Sequence, residues 1–329
     1  MRNLITDIPG LRVGQAHDAK LGSGVTVVVF DSAVVASVDV RGGGPGTRET
    51  ALLDPAQTIE GIDAIVLSGG SAFGLDAASG VQAWLREQGR GFKVRDALVP
   101  IVPAAIMFDL LNGGDKNWGR YPPYRELGYA AAAGAGADVA LGSAGAGLGV
   151  TTATLKGGVG SASATTRGGI TVGALVAVNA VGTTTIGDGP HFWAAPFEQN
   201  KEFGGRGAPA RVTAADLTLR AKGGAPESTT ISVIATDAKL SKAQCNRLAV
   251  MTQDGLARAI YPVHTPLDGD VVFAASTGAK PLADPHHGMA ELGMVAANVM
   301  ARAIARGVYE ATALPFAGAL PSWRDKFGS

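Results

Sequence analysis

Six stretches of the chain are runs of β-branched and aliphatic residues with little or no polar alternation: 25–30 (VTVVVF), 33–40 (AVVASVDV), 62–67 (IDAIVL), 170–179 (ITVGALVAVN), 229–236 (TTISVIAT) and 271–274. Strands that face solvent on one side alternate apolar with polar residues, whereas strands covered on both faces read as continuous apolar runs. Such strands need other layers above and below them. The chain must therefore supply covering helices, and three are legible. Residues 73–88 carry Leu75, Ala78, Val81 and Leu85 on one side and stop at Gly89, a good C-cap. Ser241 with Gln244 three residues on makes a capping-box pattern, followed by an apolar face of Cys245, Leu248, Ala249, Thr252 and Leu256. Residues 289–304 place Leu292, Val295, Val299 and Ala303 on one side, and His286 and His287 sit where that helix starts.

Strands and helices do not alternate as regular βαβ units. Paired strand runs followed by helices predict an α+β layered sandwich. The region 198–228, with its Lys, Glu, Gly and Pro content, reads as an exposed polar connection that ends abruptly at a strand.

Charge excludes some functions. The 28 Lys and Arg balance 28 Asp and Glu, so nothing draws in a phosphate backbone and no nucleic-acid partner is expected. The single Cys245 forbids an intrachain disulfide framework, fits a reducing compartment, and on its apolar helix face reads as a buried, inert thiol. No signal-peptide core precedes residue 10, and the Ala/Gly-rich stretch 129–150 has too few large apolar side chains to span a bilayer. The expectation is a cytoplasmic protein without a membrane partner.

The junction Glu227-Ser228-Thr229-Thr230-Ile231 is the most informative spot. Taken alone it reads as a polar strand start, where Thr is common. Its chemical reading needs Thr: the hydroxyl attacks the preceding carbonyl, the ester hydrolyses, and the freed α-amine, with a reference pKa of about 7.7–8.0, serves as base for its own hydroxyl. Asp268 and Asp270 flank Gly269 just before a strand; they suit a solvated turn, or a carboxylate pair that holds an ammonium and orients a hydroxyl. Asn179 ends an apolar run and is either a turn residue or an oxyanion-hole donor. The stretch Ser68-Gly69-Gly70-Ser71-Ala72-Phe73-Gly74 lacks the second glycine of a nucleophile elbow and the spacing of a dinucleotide fingerprint, so it reads as tight packing in which Ser71 shares in lining a pocket. The five His show no zinc spacing.

Together these segments resemble the self-processing aminopeptidases that include L-aminopeptidase/D-esterases, β-peptidyl aminopeptidases and 6-aminohexanoate-oligomer (nylon-oligomer) hydrolases. The resemblance runs from Ile8-Pro9-Gly10-Leu11-Arg12-Val13-Gly14 through Arg41-Gly42-Gly43-Gly44-Pro45-Gly46-Thr47-Arg48-Glu49 to residues 228–232 and 264–270. It implies a single αββα domain, 1–329, similar to N-terminal-nucleophile hydrolases and cut into an α chain 1–228 and a β chain 229–329. It puts Thr229 on the nucleophile position, Asn179 on the oxyanion position and Asp268 and Asp270 on the acidic or hydroxyl pair. It implies no metal or organic cofactor, a small peptide or amide substrate, and a homo-oligomer of four or more subunits. The chain departs from its relatives at Ser228, where Asn or Gly often precedes the cut. It departs again at Phe108, where some have a pocket Tyr, and near Thr154, where nylon-oligomer enzymes have a Lys; here Lys156 lies two residues on. The expected activity is release of N-terminal residues from peptides or amino-acid amides and esters. Endo-cleavage of aminohexanoate oligomers, acetyl transfer of the ornithine acetyltransferase type and an unprocessed small-ligand binding protein are the alternatives.

Overall fold

The computed structural model describes residues 1–222 and 228–328. In chain order the strands and helices are β1 (Leu11–Asp18), β2 (Ser23–Val40), β3 (Thr47–Arg48), β4 (Gly61–Ser68), α1 (Ala77–Glu87), β5 (Phe92–Val94), β6 (Ala97–Val99), β7 (Ala104–Ile106) and α2 (Tyr124–Ala133). They continue as β8 (Val159–Thr165), β9 (Thr171–Ala177), β10 (Ile231–Lys239), α3 (Lys242–Ala257), β11 (Val271–Pro281), α4 (His287–Tyr309) and α5 (Trp323–Phe327). The main strands hydrogen-bond in the order β3-β7-β4-β2-β11-β10-β9-β8, with β1 also on β2, and β5 and β6 form a separate exposed hairpin.

Three apolar clusters divide this ladder into layers. Val25, Val27 and Val29 of β2 and Ala64 and Val66 of β4 pack with Ala78, Val81 and Leu85 of α1 and Ala131 of α2. The alternate residues Val28 and Phe30, with Ile65 and Leu67, meet Leu175, Val233 and Phe273 from strands at the other end of the ladder. The remaining faces of β9, β10 and β11 (Ala174, Val176, Ile234, Ala274) pack with Leu248 of α3 and with Leu292 and Ile304 of α4. Both faces of each central strand are therefore covered, as their unbroken apolar runs demand, and the architecture is the expected αββα sandwich.

The runs 25–30 and 33–40 are not two strands but one. Near its middle the register of β2 against β4 shifts between Val29 and Val34; the first part pairs with β1 and β4, and the second pairs with β4 only at Val34 and Val35 before it runs beside β11. One long strand thus belongs to both layers. The helix expected over 73–88 begins as a 3₁₀ turn, Ser71–Asp76, and becomes α-helical only at Ala77. The capping box of Ser241 and Gln244 forms as expected, and His286 and His287 stand at the start of α4. Cys245 is buried, and desolvation pushes its thiol up to about 12. The region 198–228 is not uniformly an exposed connection. Phe203 is buried, and Glu202 forms a 2.5 Å ion pair with the buried Arg302 of α4. Residues 223–227, including the Glu227 that precedes the junction, lie outside the described residues. Among the described residues no helix is long and apolar enough to cross a membrane, and no cluster of three or more His, Cys, Asp or Glu could hold a metal.

Candidate active site

Ser228 and Thr229 lie just before β10, whose ladder begins at Ile231 rather than at residue 229, and they are 3% and 4% exposed. Ser228 bridges in parallel to Asp268, so the junction runs alongside the loop that precedes β11. Two donors converge on the Ser228 carbonyl oxygen: the N–H of Gly269 at 2.9 Å and the hydroxyl of Thr229 itself at 2.6 Å. The Thr229 N–H donates to the backbone carbonyl of Asn179 at 2.7 Å. The Thr229 hydroxyl is thus held against the carbonyl one bond upstream.

The loop that delivers Gly269 is tied by its two acids. Asp268 accepts from the backbone N–H and the hydroxyl of Thr265 through one oxygen and from the Val181 N–H through the other. Asp270 accepts from the Thr230 N–H and, with its second oxygen, from the His264 N–H at 3.1 Å; the His264 imidazole Nδ1 lies 2.9 Å from that same oxygen. Among the described residues neither carboxylate takes the Thr229 N–H; the two fix the loop around it. Burial, and then the neighbouring Asp270 charge, raise the Asp268 carboxyl above the usual carboxylate range. The Gly-rich run 41–46 has a specific use here. The N–H groups of Arg41 and Gly44 donate to the carbonyls of Asp270 and Asp268. A Cβ on Gly42 would lie 2.3 Å from the Asp270 nitrogen, and one on Gly269 would lie 2.7 Å from both the Thr229 hydroxyl and the Gly44 carbonyl. Only chain without side chains lets these segments approach so closely.

Asn179 is fully buried. Its side-chain oxygen accepts from the Thr151 N–H at 3.1 Å and from Lys222 Nζ at 2.8 Å, and its Nδ2 donates to the Phe108 carbonyl at 3.2 Å. Those three partners line a cavity of about 260 Å³, together with Asp109, Lys156, Leu111, Asn112 and the segment Leu314, Ala317, Gly318, Ala319 and Leu320. That segment follows α4 and is pinned at both ends, by Ser143 on Thr312 and by the Lys156 N–H on the Pro321 carbonyl.

Lys156 is 1% exposed, and its three ammonium protons go to the carbonyls of Gly147, Val150 and Gly157 at 2.8–2.9 Å. Burial pushes its ammonium down to about 7. Its partners make it a clamp on the loop that presents the Thr151 N–H to Asn179. Asp109 accepts from Ser23 Oγ at 2.6 Å and from the Gly70 N–H at 2.8 Å; burial raises its carboxyl, opposed by those bonds and by the Lys116 and Lys222 charges. Ser71 is one residue from this group, with its N–H on the Met107 carbonyl, but it does not line the cavity.

Thr229, Ser228, Asn179, Asp268 and Asp270 therefore meet in one place, with Phe108 and Lys156 in the adjoining cavity. Gly269, Asp109, Thr151, Lys222 and the segment 314–320 were not singled out from the sequence. Asp109 alone had a signal, a carboxylate closing the apolar run 104–108.

Residues 3–319 match the model of peptidase family S58. The chain belongs to peptidase family S58. A relative from Mycobacterium tuberculosis (strain H37Rv), named as an uncharacterised aminopeptidase, is 47% identical over 99% of this chain and 98% of its own. The 6-aminohexanoate-oligomer endohydrolase of Kocuria sp. (strain KY2) is 29% identical over 82% of this chain and 74% of its own. Two solved structures share the fold. The Burkholderia sp. β-aminopeptidase has a TM-score of 0.72 at 24% identity, and the L-aminopeptidase D-Ala-esterase/amidase of Ochrobactrum anthropi has 0.73 at 21%. Each alignment covers 99% of this chain and 92% of the other; the second protein is described as a variant of the Ntn hydrolase fold. This S58 chain is a hydrolase of amide and peptide bonds, of aminopeptidase type, and the S58 match takes in the junction at Thr229 and the lining of the cavity beside it except Leu320.

Proposed function

We propose that the chain cuts itself between Ser228 and Thr229, and that the fragments 1–228 and 229–329 then form an N-terminal-threonine amide hydrolase of the aminopeptidase type. The observation that carries this reading is the Ser228 carbonyl, approached by the Thr229 hydroxyl at 2.6 Å and already hydrogen-bonded by the Gly269 N–H. In self-cleavage Thr229 Oγ attacks the Ser228 carbonyl carbon, and the Gly269 N–H faces the oxygen on which negative charge develops. The C–N bond breaks, the hydroxyl proton passes to the departing nitrogen, and an ester joins Ser228 to Thr229 Oγ. Water hydrolyses the ester, leaving a carboxylate on Ser228 and a free amine and hydroxyl on Thr229.

Turnover repeats the sequence on an external amide. The free α-amine, with a reference pKa of about 7.7–8.0, takes the hydroxyl proton. The acyl group passes to Thr229 Oγ, the amine product leaves, and water releases the acid. Asn179 Nδ2 and the Gly269 N–H are the donors for the substrate oxyanion, and Asp268 and Asp270 hold the loop that carries Gly269. Phe108 and Lys156 belong to the cavity that receives the acyl group.

Denaturing electrophoresis of the purified protein tests the reading, with N-terminal sequencing of the smaller fragment. The expected result is two bands, the smaller starting at Thr229. A single intact chain that hydrolyses amides, or a fragment starting elsewhere, overturns it. A screen of amino-acid p-nitroanilides, β-peptides and aminohexanoate oligomers then separates amino-terminal release from the endo-cleavage named for the Kocuria relative.

A further inference from the structure

We propose that Lys222 is a positioning residue of the matured enzyme: its ammonium fixes the orientation of the Asn179 side-chain amide and strengthens Nδ2 as an oxyanion donor. The inference rests on the reading of Thr229 as nucleophile and Asn179 as donor.

An asparagine amide can sit in either of two flips, and only one presents its NH₂ in a given direction. Here Asn179 is fully buried, and its Oδ1 takes the Thr151 N–H and the Lys222 ammonium together. In the opposite flip an NH₂ would face an N–H and an ammonium, donor against donor, and both of these hydrogen bonds to Asn179 would be lost. Lys222 and Thr151 thus hold Oδ1 on one side and turn Nδ2 to the other. Thr151 contributes a neutral donor; Lys222 contributes a charge. A hydrogen bond from an ionised donor is roughly twice as strong as a neutral one, and it polarises the group that accepts it. Electron density drawn toward Oδ1 makes the Nδ2 hydrogens more positive, which helps where charge develops on a substrate oxygen.

The anchoring of Lys222 explains how a residue so near the cut stays in the site. Its backbone N–H donates to the Val181 carbonyl at 2.9 Å, and the Val181 N–H is held by Asp268. The same short stretch supplies the Asn179 carbonyl that receives the Thr229 N–H. The Lys222–Val181 and Val181–Asp268 contacts do not involve the Ser228–Thr229 peptide bond. Cleavage leaves Lys222 on the α chain but bonded to the segment that frames the nucleophile.

The two chemical steps separate the roles. In the uncut chain the Ser228 oxygen is met by Gly269 and Thr229, while Asn179 Nδ2 donates to Phe108. Lys222→Met should therefore cut itself within about threefold of the wild-type rate and be slow only in turnover. With the p-nitroanilide or p-nitrophenyl ester that wild type hydrolyses fastest, kcat should fall about ten- to a hundredfold, the range for a lost hydrogen bond to a charged group, with KM within about twofold. Lys222→Arg should restore at least a third of the lost activity.

A double-mutant cycle decides whether Lys222 acts through Asn179. In an Asn179→Ala background Lys222→Met should cost less than about twofold further. An equal cost in both backgrounds, a rise in KM at constant kcat, or full activity in Lys222→Met overturns the proposal. Lys222→Gln, which keeps a donor but no charge, serves if the Met variant does not fold; wild-type kcat in it overturns the charge argument. Wild type that is never cut at 228/229 defeats the underlying reading instead, whereas normal cutting with an additive cycle defeats this inference alone.

Discussion

Around Thr229 the carboxylates Asp268 and Asp270 are held mostly by backbone N–H groups, and most of their partners belong to residues 264 and 265 of the same loop. Asp109 in the adjoining cavity is held by Ser23 and Gly70 and sits in the fields of Lys116 and Lys222, all far from it in sequence except Lys116. The nucleophile loop is therefore tied largely within itself and buttressed by the distant glycines 42–44, and its geometry leaves little room for change. The cavity is gathered from several distant segments and balances several charges. Changes at the first should abolish a step; changes at the second should retune one.

The largest expected effect is at the nucleophile. Thr229→Ala keeps the fold, since Ala fits the same strand entry, but removes the attacking oxygen. It should run as one uncut band and hydrolyse nothing. Thr229→Ser should still cut. Self-cleavage in Thr229→Ala would mean that another group attacks, and the contrast between loop and cavity would lose its centre.

Gly269→Ala and Asn179→Ala sharpen the comparison because they should fail at different steps. In Gly269→Ala the added methyl would press on the Thr229 hydroxyl and the Gly44 carbonyl, so the loop must shift and carry its N–H off the Ser228 oxygen. Self-cleavage should slow by about 10²–10³, the usual cost of one oxyanion donor. Asn179→Ala, tested as matured enzyme, should lose about 2.7–4 kcal/mol in kcat with little change in KM. Time courses of fragment appearance and steady-state kinetics read the two effects separately. If kcat in Asn179→Ala stays within about threefold of wild type, Asn179 has no oxyanion role.

The contrast also explains what the sequence made legible. Continuous apolar runs mark strands covered on both faces, so the layers could be read from residues 25–30, 170–179 and 229–236. The break between 30 and 33 could not, because one strand that passes from one layer to the other leaves the same pattern as two strands with a turn. At the site, Thr229, Asn179, Asp268 and Asp270 stood out because each puts a polar group beside a buried strand. Lys222 lies in a stretch whose Lys and Gly content resembles any surface loop, and Leu314–Leu320 wall the cavity only because α4 returns the chain there. Nothing local in either segment records that destination. The use of residues 41–46 is equally non-local: a glycine run reads as flexibility until the Asp268–Asp270 backbone is seen against it.

Lys156→Met probes the cavity side through stability. The side chain keeps its length and loses three donors, leaving the Gly147 and Gly157 carbonyls without theirs, while the Val150 carbonyl keeps the Gly157 N–H. A loss of about 2–4 kcal/mol is expected in denaturant unfolding, given about 1–3 kcal/mol for each buried group left unsatisfied and some relaxation around it. Because these carbonyls belong to the loop that presents Thr151 to Asn179, kcat should fall in parallel. An unchanged unfolding midpoint would show that the three carbonyls do not depend on this clamp.

The smallest effect expected is at Asp109, and its sign is the test. Burial raises its folded-state pKa above the ordinary 3.8, despite the bonds from Ser23 and Gly70 and the nearby lysine charges. A carboxyl with a raised folded pKa binds its proton more tightly in the folded chain than in the unfolded one. Its contribution to stability is then fully present below about pH 3.8 and is lost as the pH rises through the folded value. An asparagine amide does not titrate, so the melting temperature of Asp109→Asn minus that of the parent should become more positive between about pH 4 and 7. The parent should be the uncut Thr229→Ala chain, so that one polypeptide melts in both cases. The expected outcome is a steady rise of that difference across this range. Other carboxylates, Asp268 among them, titrate alike in both proteins and cancel in the difference. A difference that is flat or falls with pH would mean that the surrounding lysines and donors hold Asp109 as a stable anion. The cavity would then be a fixed electrostatic site like the nucleophile loop, and the contrast between the two regions would fail on the cavity side.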